Sequence, residues 1–260
     1  MPTAQINGQK IYFEDTGGSG PVVVFSHGLL MDCSMFAPQV AALSKKYRVI
    51  TWDERGHGQT NDATAAFSYY DSASDLAGLL QHLGIAQAVL GGMSQGGYLS
   101  LRAALRYPQI VKALILIDTQ AMPESPATLP LYTQLVQNWA ANGLDDQTAA
   151  TIEHIILGAG YADASLWKAK WKEVRPANLL QIFNTLVTRD DISGSLGEIQ
   201  VPALVIHGDA DAAIPLAHAD DMAQRLPRAT LKAIAGAGHA ANLTHPHAVN
   251  PLIEAFLAQF

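Results

Sequence analysis

Several short runs in this sequence are apolar at nearly every position, and nothing else in the chain narrows its possible folds as much. They are Val22-Val23-Val24-Phe25, Arg48-Val49-Ile50-Thr51-Trp52, Ala88-Val89-Leu90-Gly91-Gly92, Lys112-Ala113-Leu114-Ile115-Leu116-Ile117 and Val201-Pro202-Ala203-Leu204-Val205-Ile206. A strand with one wet face alternates apolar and polar side chains; an unbroken apolar run must be covered on both faces. Helical spacing fills the gaps between the runs: Phe36, Val40 and Leu43 within 34–45, and Ala73, Leu76, Ala77, Leu80 and Leu83 within 69–83, stopped by Gly84. A further helix is expected over 95–107, closed by Tyr107-Pro108, and a last one over 246–259. Strands alternating with helices at this interval predict right-handed crossovers and a mostly parallel, doubly wound α/β sheet. The alternating residues 4–15, hinged at Asn7-Gly8, predict a hairpin at its edge.

The alternation stops at Asp118. From 121 to 192 there is no strand candidate, and four helical segments are expected near 127–142, 145–157, 165–174 and 177–189, separated by Gly143, a turn at 158–160 and Pro176. Trp139, Trp167 and Trp171 fall here. An insertion of this length is too long for a connecting loop. The expected organisation is therefore a core made of 1–120 and 193–260, with 121–192 as a helical cap. The strand pattern resumes at 201–206 and again at Ala229-Thr230-Leu231-Lys232-Ala233-Ile234.

Charge and cysteine content exclude some classes of function. A net charge of -7 with 16 scattered Lys and Arg residues argues against nucleic acid as a partner, since phosphate binding needs clustered cations. The single cysteine, Cys33, cannot form an intrachain disulfide. The opening Met1-Pro2-Thr3-Ala4-Gln5 is unlike a signal peptide, and no segment approaches the roughly 20 apolar residues of a membrane span. A cytoplasmic protein without a membrane partner is expected.

Gly92-Met93-Ser94-Gln95-Gly96 joins an apolar run to a helix and has the form G-x-S-x-G. A serine on such a turn projects its hydroxyl out of the fold, and glycines make the turn sterically possible. A serine hydroxyl is a poor nucleophile until a base takes its proton, and the base needs a carboxylate to set its tautomer. In doubly wound sheets the partners gather at the carboxyl ends of strands. Candidates there are His207, Asp209 and Asp211 after 201–206, His239 after 229–234, and Asp118 after 112–117.

The motifs in order are His27-Gly28 after the first long run, G-x-S-x-G, the H-G-x-x-D-x-x-x-P stretch His207 to Pro215, and the G-x-G-H loop Gly236 to His239. This order resembles the α/β-hydrolase fold superfamily over essentially the whole chain. The resemblance implies Ser94 as nucleophile, Asp211 as orienting acid and His239 as base, with Asp118 the rival acid and Asp209 a loop cap. It implies backbone N–H groups of Leu29 and Gln95 as oxyanion donors. His27, Arg55 and His57 are expected to be structural, the last two within the turn Asp53 to Gly58, and Cys33 a buried thiol. No metal site is expected from His245-Pro246-His247, and no cofactor.

A serine at position 94 disfavours the haloalkane dehalogenases and epoxide hydrolases of this superfamily, which use an aspartate there. Leu30 departs from the proline that related perhydrolases often carry. The sequence is similar to 3-oxoadipate enol-lactonases in length, cap and motif order. These features imply a serine esterase or lactonase acting on a small-molecule ester, with a triad-bearing ligand receptor, a perhydrolase and a C–C hydrolase as alternatives. Trp139, Leu135, Ile156 and Trp167 are the expected substrate-pocket residues.

Overall fold

The computed structural model describes residues 2–63, 65–158 and 160–260. Met1, Thr64 and Ala159 lie outside the described residues, Ala159 being the middle of the turn expected at 158–160.

The strands are β1 (Thr3–Ile6), β2 (Gln9–Asp15), β3 (Val22–Ser26), β4 (Arg48–Trp52), β5 (Ala88–Met93), β6 (Val111–Ile117), β7 (Ala203–Gly208) and β8 (Ala229–Ile234). They form one eight-stranded sheet in the order β1-β2-β4-β3-β5-β6-β7-β8. From β4 to β8 every pairing is parallel; β1 and β2 are the antiparallel edge hairpin, turning at Asn7 and Gly8, both with positive φ. This is the mostly parallel, doubly wound α/β sheet that the apolar runs predict, with the antiparallel hairpin at its edge.

The helices are α1 (Ala37–Leu43), α2 (Tyr69–His82), α3 (Gln95–Arg106), α4 (Leu129–Asn142), α5 (Asp146–Ile156), α6 (Ala164–Lys172), α7 (Pro176–Val187), α8 (Leu216–Arg225), α9 (Ala241–Thr244) and α10 (Pro246–Leu257). Strand periodicity explains how they divide between the two faces. On β6, Ala113, Ile115 and Ile117 join an apolar cluster with Leu43 of α1 and Val249 and Ile253 of α10. Leu114 and Leu116 point the other way, into a cluster with Leu76 of α2, Leu99 of α3 and Met222 of α8. Both faces are covered, which is why these strands carry no polar alternation.

Two helices, α8 and α9, follow segments that the sequence marks only as loops. Residues 34–45 divide into a tight turn at Cys33–Phe36 and α1, with Pro38 in the first turn of α1. Between β6 and β7 the described residues contain α4 to α7 and no strand, with α4 packed on α7 and α5 on α6. Trp171 Nε1 donates to Leu30 O (2.9 Å), Asn178 Nδ2 to Asn61 O (2.7 Å) and Thr185 Oγ1 to Phe67 O (2.8 Å), tying α6 and α7 to loops at the carboxyl edge of the sheet. Among the described residues, no helix is long and apolar enough to cross a membrane.

Candidate active site

The strand order reverses between β3 and β5, and the loops leaving these two strands open a crevice at the carboxyl edge. Ser94 stands at the end of β5 with φ 51° and ψ −115°, a strained conformation for a residue with a side chain. Neighbouring groups hold it there: Ser94 N donates to Ile117 O (2.9 Å), and Thr119 Oγ1 donates to Ser94 O (2.7 Å). A Cβ on Gly92 would overlap the Gly96 carbonyl, and one on Gly96 would overlap the Ser26 carbonyl. The glycines let α3 start hard against β3 and β5. Although Ser94 occupies the N-cap of α3, its hydroxyl makes no capping bond.

That hydroxyl lies 2.9 Å from His239 Nε2, and His239 Nδ1 lies 2.8 Å from Asp211 Oδ2. With Nδ1–H donated to the carboxylate, Nε2 is left as the acceptor facing Ser94. Asp211 Oδ1 accepts from Ala213 N (2.8 Å) and Ile214 N (2.9 Å). His207 Nε2 donates to Ile214 O at 2.8 Å and lies 3.3 Å from Asp211 Oδ2. Burial disfavours the Asp211 carboxylate, but the charge of His239 and the bonds from His207, His239 and Ile214 outweigh it and hold its pKa well below the ordinary value. Burial likewise pulls His239 down, and Asp211 more than offsets this, so the imidazole sits above its ordinary value.

Asp118 makes no hydrogen bond to His239. Its Oδ1 accepts from Gly208 N (2.8 Å) and its Oδ2 from Ala241 N (2.9 Å), so one buried carboxylate clamps the loop carrying Asp211 to the loop carrying His239. Burial pushes its pKa up to about 7. Asp209 Oδ1 accepts from Gly236 N (2.7 Å), a cap between the same two loops nearer the surface.

Leu29 lies in the loop after β3 and lines the same cavity as Ser94, Gln95 opens α3 directly after Ser94, and neither backbone N–H donates to a protein acceptor among the described residues. The Leu29 loop is shaped by Leu30, with φ 62° and its carbonyl held by Trp171. A Cβ at position 28 would strike Met93 Sδ, so any larger residue there would have to displace the Met93 side chain beside Ser94. His27 anchors the loop through Nδ1 to Gly28 O (2.8 Å) and by accepting from Glu54 N at Nε2 (2.9 Å). Asp53 accepts from Cys33 N and Gln59 N, both at 2.8 Å; Arg55 pairs with Asp75, and His57 Nδ1 bonds to Arg55 O (3.0 Å). Cys33 is buried, and burial pushes its thiol pKa far up, the opposite of a nucleophilic cysteine. His245 precedes α10, and His245 Nδ1 bonds to Thr244 Oγ1.

Ser94 and His239 open into a cavity of about 120 Å³ under α4, α5 and α7, walled mainly by apolar groups such as Leu135, Ile152, Ile156 and Phe183. Leu135 and Ile156 were expected there. Trp139 and Trp167 do not line it; both are buried in the apolar cluster that also holds Ile152, Leu179 and Ile182, and Lys170 Nζ lies 4.4 Å over the Trp167 ring. Sequence reasoning missed the polar part of the wall: Tyr98, Tyr132 and Glu124, with Arg189 behind them. Tyr98, one turn along α3 from Ser94, was within reach of a spacing argument. The pairing of Glu124 with Arg189 was not, because 65 residues separate them.

Two groups of acidic, histidine and cysteine side chains cluster closely enough to suggest a metal: Asp118, His207 and Asp211, and Asp32, Cys33 and Asp53. Both oxygens of Asp118 and of Asp53 accept from backbone N–H groups, Asp211 divides its oxygens between backbone N–H groups and His239, and Asp32 pairs with Lys170, so these carboxylates already have protein partners.

A family model described as the alpha/beta hydrolase fold matches residues 21–246. The chain is 31% identical over 93% of its length to polyketide synthase ThaQ of Burkholderia thailandensis, and spans 12% of that much longer protein. Among solved structures, it superposes with a TM-score of 0.90 and 27% identity on a thermophilic esterase from Thermogutta terrifontis, covering 99% of this chain and 98% of that one. With the enol-lactonase from Burkholderia xenovorans LB400 the TM-score is 0.91 at 27% identity, covering 99% and 100%.

Proposed function

The chain belongs to the α/β-hydrolase fold family, and on that premise we propose that it is a cofactor-independent serine hydrolase that cleaves a carboxylic ester or lactone. The observation that carries this reading is the unbroken line of hydrogen bonds from Ser94 Oγ through His239 to Asp211. Nε2 of His239 removes the hydroxyl proton as Oγ attacks the carbonyl carbon. The imidazolium so formed is stabilised by Asp211, whose lowered pKa keeps it ionised throughout. Leu29 N–H and Gln95 N–H receive the oxyanion, each such donor being worth about a hundredfold or more in rate.

Collapse of the tetrahedral intermediate expels the alcohol, protonated by His239, and leaves an acyl group on Ser94. His239 then activates water to release the acid. In a lactone both products remain one hydroxy acid. Helices α4 to α7 act as a cap whose apolar wall excludes water and holds the acyl group. The names of the esterase and enol-lactonase neighbours are consistent with either substrate.

The test is a panel of p-nitrophenyl esters and lactones with wild type and Ser94→Ala. Wild type should turn over many times and accept a serine-directed fluorophosphonate label. The variant should retain its thermal midpoint, lose the label and fall by about 10⁴-fold or more in turnover. Undiminished turnover in Ser94→Ala would remove the nucleophile assignment; one slow turnover in wild type would favour a ligand receptor.

A further inference from the structure

One wall of the cavity beside Ser94 differs from the rest. Glu124 is its only acidic lining residue among the described residues, and this carboxylate is unevenly used. Oε2 accepts from Arg189 Nη1 at 2.9 Å, while Oε1 has no protein hydrogen-bond partner among the described residues.

Arg189 cannot present its own charge to a ligand. Its side chain is 1% exposed, Nη1 also donates to Leu186 O (2.9 Å), Nε donates to Met122 O (3.0 Å), and its guanidinium carbon lies 4.4 Å over the Tyr98 ring. Nη2 is buried without a partner. The pair therefore turns its negative end toward the cavity and keeps its positive end behind an aromatic ring. The remaining polar lining comes from Tyr98, Tyr132, Ser94 and His239, and none of these supplies a fixed cation to offset Glu124.

We propose that Glu124, held by Arg189, sets the charge specificity of this site: it admits neutral acyl groups and rejects those that carry a second carboxylate. The inference rests on the ester-hydrolase reading and narrows it to a substrate class. An acyl chain ending in a methyl, hydroxyl or amide group meets apolar walls and an open acceptor. A chain ending in a carboxylate meets a like charge in a cavity with little water to screen it.

The test compares p-nitrophenyl hexanoate with mono-p-nitrophenyl adipate, which share a six-carbon acyl chain and differ in the terminal group. Wild type should prefer the hexanoate in kcat/KM by about tenfold or more. Glu124→Gln leaves the guanidinium uncompensated and should shift this ratio toward the adipate ester. Because the single variant leaves a buried charge unpaired and could fold poorly, the double variant Glu124→Gln/Arg189→Met provides a neutral wall. Its ratio should lie between the other two.

Equal rates on both esters in wild type, or a preference for the adipate, would overturn the proposal while leaving the hydrolase reading standing. So would a ratio that is the same in all three proteins. Turnover of neither ester, nor of any ester or lactone in the panel above, would overturn both readings.

Discussion

Asp118 and Asp211 show how two carboxylates a few ångströms apart take different work from their surroundings. Asp211 is held ionised and faces an imidazole, whereas Asp118 is pushed toward neutrality by burial and faces two backbone N–H groups. Asp118 is a positioning residue. Asp211→Asn should lower kcat by about 10⁴-fold, because an amide favours the wrong His239 tautomer. Asp118→Asn replaces one of two acceptors with a donor aimed at an N–H. It should cost about tenfold to a hundredfold through misplacement of the Asp211 and His239 loops. The two are told apart by measuring kcat over pH together with the thermal midpoint: Asp211→Asn should remove the His239 inflection with little loss of midpoint, and Asp118→Asn should keep the inflection and lower the midpoint. Ser94, Asp211 and His239 were readable as candidates from motif order because each lies in the turn or loop that follows a strand. The clamp was not, since its two partners lie 90 and 123 residues away.

At the scale of elements, the junction of β5 with α3 is the most tightly built part of the chain. Gly96→Ala would drive a methyl group into the Ser26 carbonyl of β3, an atom with no freedom to move because β3 is paired on both sides. The expected loss is about 3 kcal/mol, read as a shift in urea midpoint. Strands and helices of the core were legible to within a few residues because burial on both faces leaves continuous apolar runs. The helices between β6 and β7 were legible as helices, but their faces were not. Trp139 and Trp167 look like pocket walls in sequence, and only packing shows that Leu135 and Ile156 reach the cavity while the indoles are spent between helices.

At the scale of the whole molecule, buried acids couple stability to pH. Glu54, in the loop after β4, lies under the α3 N-terminus with Oε2 accepting from Gln95 Nε2 (2.5 Å), and burial pushes its pKa from 4.5 up to about 8. The folded state retains a proton there that the unfolded chain releases. This contribution is therefore complete below about pH 4.5 and is lost as pH rises toward about 8. Asp118 acts in the same direction up to about pH 7. Asp211, whose pKa is lowered, contributes above its unfolded value and loses that contribution as pH falls. Glu54→Gln should flatten the alkaline decline, whose slope for one such group reaches about 1.4 kcal/mol per pH unit. Urea unfolding of both proteins from pH 5 to 9 measures it; a decline of equal slope in the variant would clear Glu54 of the effect.

The amino-acid sequence alone determined the layering of the sheet, the turn at Ser94 and the loops in which its candidate partners lie. Each of these is written in local pattern: apolar runs for strands covered on both faces, and glycines where backbones meet. Tertiary structure alone decided which acid faces His239, which side chains of α4 to α7 line the cavity, and that Glu124 and Ser94 share it. These depend on pairs separated by tens of residues, and burial and charge at such pairs exist only once the chain has closed around them.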